Sequence, residues 1–180
     1  MSRLRSVLSP LALVLVTVLA AGSFVLIGSE KAEACSAVFR FYNADAGTHF
    51  YTTSDEEANK IIASYADVYT YEGIAYSANV ATNFDPLYRF YNKANGSHFY
   101  TASASEKAAV EATWPGVYTY EGVGFNISTT EVAGGTTVYR FYNKANSSHF
   151  YTSSIEERDA VQARWSATYA YEGVAFYVAP

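Results

Sequence analysis

The chain is poor in the residues that usually announce a chemistry. It has one cysteine, Cys35, one methionine, four prolines and three histidines in 180 residues. A lone cysteine forms no internal disulfide, so the core itself must supply stability even in an oxidising compartment. No block of like charge occurs, and Asp and Glu outnumber Lys and Arg by 17 to 12. Nucleic-acid backbones and anionic membrane surfaces are therefore poor partners for it. There is no G-x-S-x-G, and Cys35 lies outside the patterned region, so no nucleophile motif stands out.

Aromatic residues are abundant instead. Tyr, Phe and Trp number 17, 11 and 2, and Phe24 alone falls in the first 34 residues. Those first residues read as a secretory signal peptide. Arg3 and Arg5 precede an apolar run from Leu11 to Ile27, and Ala32-Glu33-Ala34 offers an A-x-A cleavage site. The run is long enough for an uncleaved anchor to be the alternative. Cleavage after Ala34 would leave Cys35 first, as in a lipoprotein, although Ala32 and Glu33 fit a lipidation signal poorly. Residues 36–180 then make one domain of ordinary size.

The domain repeats one phrase three times, over about 38–79, 87–128 and 138–179. Phe39-Arg40-Phe41-Tyr42-Asn43, Thr48-His49-Phe50-Tyr51-Thr52 and Tyr71-Glu72-Gly73 recur as Tyr88–Asn92, Ser97–Thr101 and Tyr120–Gly122. They recur again as Tyr139–Asn143, Ser148–Thr152 and Tyr171–Gly173. His49, His98 and His149 mark the period of 49 and then 51 residues. Such a period signals units that bury their apolar faces only against one another.

Within a unit, alternating Tyr-Arg-Phe-Tyr and Ser-His-Phe-Tyr-Thr segments flank a polar turn, which predicts a hairpin. Ser54/Glu57, Ser103/Glu106 and Ser154/Glu157 are capping boxes and predict a helix next. Its apolar stripe reads Ile61/Tyr65, Val110/Trp114 and Val161/Trp165, which assigns the tryptophans to buried packing. Strand character then returns, broken at Gly73, Gly122 and Gly173. The expectation is a mainly β domain of three pseudo-symmetric ββαββ repeats. A closed, β-trefoil-like body is the first choice, with a small propeller or an open stack as alternatives.

Strand alternation gathers Arg40, His49 and Tyr51 on one face, as it does Arg89, His98 and Tyr100, and Arg140, His149 and Tyr151. Glu72, Glu121 and Glu172 precede a glycine, where a bulge can aim the carboxylate at the same cluster. Two readings compete. These twelve residues are an internal frame of ion pairs and hydrogen bonds, or they are a ligand site repeated in each unit. Planar Arg and Glu groups, an imidazole and a ring suit the hydroxyls and apolar face of a sugar. A metal centre built from three histidines would need those of the three units to meet on an axis, with no other ligands nearby. No cofactor is implied. Paired glutamates resemble glycosidase machinery only superficially, because threefold replication gives each pair the same environment.

The string Y-R-F-Y-N, H-F-Y-T, capped helix and Y-E-G-V-A-F resembles a family of secreted tandem repeats known only as a domain of unknown function. The resemblance covers most of residues 38–178. It implies an exported accessory module, lectin-like or cell-surface-binding, and brings no catalytic residues. The expected function is thus a secreted, non-catalytic protein that binds carbohydrate or another cell-surface polymer at one site per repeat. A protein-binding, inhibitory or structural surface module is the alternative, and a hydrolase a distant second.

Overall fold

The computed structural model describes residues 35–79 and 84–178, and the predicted leader lies outside them. Each unit opens with a hairpin. In the first, β1 (Cys35–Asn43) pairs antiparallel with β2 (Thr48–Thr52), then come α1 (Asp55–Ser64) and β3 (Tyr69–Asn79). The second unit is β4 (Asp85–Asn92), β5 (His98–Thr101), α2 (Ala104–Thr113) and β6 (Tyr118–Ile127). The third is β7 (Thr136–Asn143), β8 (Ser148–Thr152), α3 (Ile155–Arg164) and β9 (Tyr169–Val178).

Each unit has three strands where the sequence reading expected four. The last strand runs on through its glycine as a bulge, because Gly73, Gly122 and Gly173 take φ of 100°, 104° and 99°. In the first unit Arg40 faces Gly73 while Phe41 faces Tyr71, so Glu72 is the extra residue. Glu121 and Glu172 are extra in the same way. The glutamate-before-glycine pattern thus encodes a bulge that turns one carboxylate out of the ladder.

The strands form three three-stranded antiparallel sheets, β2-β1-β3, β5-β4-β6 and β8-β7-β9. A single residue pair, Asn79 with Asn126, joins the first two. A backbone bridge from Ser128 to Tyr177 ties the second to the third. No barrel closes, in contrast to the closed, trefoil-like expectation. What closes the body is side chains.

Tyr51, Tyr100 and Tyr151 meet at the centre, only 1%, 2% and 2% exposed. Each phenol donates to the backbone carbonyl of the next: Tyr51 to Tyr151 at 2.6 Å, Tyr151 to Tyr100 at 2.6 Å, Tyr100 to Tyr51 at 2.8 Å. The Tyr100 and Tyr151 hydroxyls also accept the amides of Tyr51 and Tyr100, both at 3.0 Å. The rings stand edge to face at 84–86°, the arrangement their quadrupoles favour. Val38, Leu87, Val138, Phe125, Ile127 and Phe176 pack around this ring of tyrosines. Three smaller clusters lie under the helices, each built on paired phenylalanines and helical side chains: Ala58 with Ile61, Val110, or Val161.

The helices start as predicted, with Ser54, Ser103 and Ser154 accepting the amides of Glu57, Glu106 and Glu157. They stop one residue before the end of the stripe. Trp114 and Trp165 are C-cap residues outside the helix, 50% and 57% exposed, and Tyr65 is 44% exposed. Pro115 already disfavours a helical Trp114. The assignment of these rings to the core is therefore overturned.

Grooves between units

The polar face sorts into three clusters, each at a junction of two units. Arg140 reaches Glu172 of its own bulge through Nε at 2.7 Å. It also holds Glu106 of the preceding helix with Nη1 and Nη2, at 2.8 and 3.1 Å. Arg89 repeats this with Glu121 at 3.0 Å and with Glu57 at 2.9 and 3.2 Å. Arg40 pairs with Glu72 at 2.7 Å and makes one contact of 3.2 Å to Glu157, which closes the cycle from the third unit to the first. The capping-box glutamates therefore do not turn back on their own helix. The serine amides are taken by Thr52, Thr101 and Thr152 instead, which frees each carboxylate to bridge units.

His49, His98 and His149 sit beside the bulge glutamates, Nε2 to Oε2 at 3.1, 3.4 and 3.5 Å. Each ring also packs against a phenylalanine of the preceding unit: His98 on Phe50, His149 on Phe99 and His49 on Phe150. Burial lowers the pKa of His149 to about 4, and the nearby Arg140 charge acts in the same direction. Burial lowers His49 as well, against the pull of Glu72. Both imidazoles are neutral near pH 7, with Nε2 turned toward the glutamate. Burial pushes Glu121 and Glu106 upward, but His98 and Arg89 hold the first below the usual carboxylate range, and Arg140 and Thr101 hold the second there.

Arg, His and Glu thus come together as the sequence predicted, with a second Glu from the neighbouring helix that the sequence reading did not include. Tyr51, Tyr100 and Tyr151 do not present rings to a ligand; they are the buried centre. Among the described residues, no group of three or more His, Cys, Asp or Glu is arranged to hold a metal ion.

On one side of the Arg140 cluster a groove of about 790 Å³ runs between the second and third units. Trp114 and Tyr118 form its wall from the helix side, Tyr142 stands on the hairpin opposite, and His149, Glu106 and Glu172 reach its floor. Arg140 faces a separate cleft of about 280 Å³ on the other side. The equivalent groove between the first and second units, about 260 Å³, is lined by Tyr65, Tyr69, Glu57 and His98, and by Lys60. Where the third unit meets the first, Trp165 caps the helix, Phe150 packs against both Tyr169 and His49, and Arg40 links Glu72 to Glu157. The exposed ring at the helix end is the residue that sequence reasoning missed. The Trp-Pro-Gly at 114–116 was the available signal.

The chain belongs to the family described as Domain of unknown function (DUF5648), whose model matches residues 37–179. No curated protein and no solved structure matches it. Among the described residues, no helix is long and apolar enough to cross a membrane.

Proposed function

We propose that the protein is an exported, non-catalytic module that binds carbohydrate or a related cell-surface polymer in the grooves between its units. One observation carries this reading: a half-exposed Trp114 beside Tyr118 and Tyr142, above a floor of Glu106, Glu172 and neutral His149. A saccharide ring needs both parts. Its C–H face stacks on an aromatic plane, and its hydroxyls need groups fixed before binding. In each unit the bulge glutamate takes its Arg and His contacts on the same oxygen, Oε2. Oε1 is then available to a hydroxyl. One site per repeat, joined rigidly, would raise avidity on a repeating polymer without further contacts.

The reading is non-catalytic because Glu106 and Glu121 are both held below the ordinary carboxylate range. Glu106 is held ionised by Arg140, whereas a general acid at neutral pH needs a raised pKa. Arg40, Arg89 and Arg140 shape the floor rather than contact ligand, and the buried tyrosines hold the grooves in register. A protein-binding surface is the second reading. It is favoured by Ile74, Val123 and Val174, which stand 61%, 52% and 47% exposed beside the three bulges.

A panel of glycans and cell-wall polysaccharides tests the first reading. Saturable, sugar-competed binding that Trp114→Ala weakens is the expected result. Silence across the panel would transfer the function to the apolar bulge surface.

A further inference from the structure

The grooves at the first–second and second–third junctions carry different charges, and the difference points to a ligand class. The floor of the 790 Å³ groove shows Glu106, Glu172 and His149, and none of the described residues lining it is Lys or Arg. Arg140, which neutralises part of that charge, is turned to the opposite cleft. Lys93 of the adjoining hairpin directs its Nζ to the Pro115 carbonyl at 3.4 Å. Two carboxylates and a neutral imidazole below, with Trp114, Tyr118 and Tyr142 around, make an anionic aromatic cage. Such a cage attracts a cation through both its charge and its ring faces.

The first unit supplies the internal comparison. Counted from the capping serines, Lys60 stands where the second helix has Ala109 and the third has Ala160. Lys60 lines the smaller groove together with Tyr65, Tyr69, Glu57 and His98. The groove with a resident ammonium has a volume of about 260 Å³, against about 790 Å³ in the groove that lacks one. The chain therefore carries its own cation in the one groove whose helix has lysine at this position.

We infer that the groove at the second–third junction accepts an ammonium-bearing sugar, an amino sugar whose nitrogen is not acylated, and that Lys60 fills the equivalent place at the first–second junction. This rests on the carbohydrate reading above and narrows it. Neutral sugars would use only the stacking face and the hydroxyl contacts. A free amino sugar adds the ammonium to the same pose.

Calorimetric titration of the full chain with a β-1,4-linked glucosamine tetrasaccharide and its N-acetylated counterpart, at mildly acidic pH, separates the possibilities. The expected result is one tight equivalent of the free-amine sugar per chain, with the acetylated sugar weaker by at least about tenfold. Lys60→Ala should add a second, and Ala109→Lys should abolish the first. Both positions are exposed, so neither change disturbs the core. Equal affinity for the two sugars would overturn the ammonium inference while leaving carbohydrate binding intact. No response to Lys60→Ala would overturn the role of Lys60. Binding of neither sugar, with another saccharide bound, would overturn the inference alone. No saccharide bound at all would remove both.

Discussion

The groove at the first–second junction and the groove at the second–third junction share a frame and differ in their lining. Both are anchored by an arginine that grips the preceding helix's glutamate with two nitrogens. Both have a histidine on a neighbour's phenylalanine. The first is lined by Tyr65 and Lys60, the second by Trp114 and Ala109. Residues that hold units together are repeated, and residues that face the opening vary. The split separates frame from site where the sequence alone could not.

The largest test of that division removes the frame. Arg140→Ala leaves Glu106 and Glu172 without their shared cation, and should cost roughly 3 kcal/mol of stability in urea unfolding, reduced somewhat by their partial exposure. Arg140→Lys should recover only part of it, since an ammonium cannot grip Glu106 in two places. Arg40→Ala should cost less, because Arg40 holds Glu157 by a single contact.

Acid gives the next effect. His149 is neutral in the folded chain down to about pH 4, whereas its ordinary value is 6.5. Between those values the unfolded chain binds a proton that the folded one does not. Stability is therefore full above pH 6.5 and falls as pH drops toward 4, by about 2 to 3 kcal/mol from this residue. Thermal melts of His149→Gln across that range should show a flatter acid limb.

Trp114→Ala probes the opening. With half its surface already in water, it should change stability by under about 0.5 kcal/mol. It should weaken saccharide binding about tenfold, roughly 1.4 kcal/mol. Tyr65→Ala in the lysine-filled groove should leave binding unchanged.

The smallest test repairs an asymmetry. Asn95 donates to the Asn146 carbonyl at 2.8 Å, and Asn146 to the Ala46 carbonyl at 2.9 Å. Ala46 occupies the same hairpin position in the first unit and has no side-chain donor to continue the series. Ala46→Asn should add about 0.5–1 kcal/mol if its amide reaches the second hairpin, read as a small rise in melting temperature.

The sequence reading had enough information for the hairpins, the serine caps and the association of Arg, His and Glu, because each depends on local alternation or a fixed offset. It failed where a local rule met a neighbouring unit. The capping box placed Glu57, Glu106 and Glu157 on their own helices, but an arginine from the next unit offers a two-pronged partner. Alternation put Tyr51 beside His49 and Arg40, as a strand requires. It could not reveal that this face passes from the groove into the common core within two residues. The helical period carried Trp114 and Trp165 inward because it took no account of where the helix ends.

The ring of tyrosines has a consequence for the order of the chain. Every unit gives one phenol to a neighbour and receives one, so the cycle has no intrinsic beginning. A circularly permuted protein, opened in the 129–135 connection and joined from the third unit back to the first by a short linker, would keep every one of these exchanges. An isolated unit would lose the partners of its buried hydroxyl and the faces against which its core side chains pack. The indivisible element is the closed set of three, whichever unit is translated first.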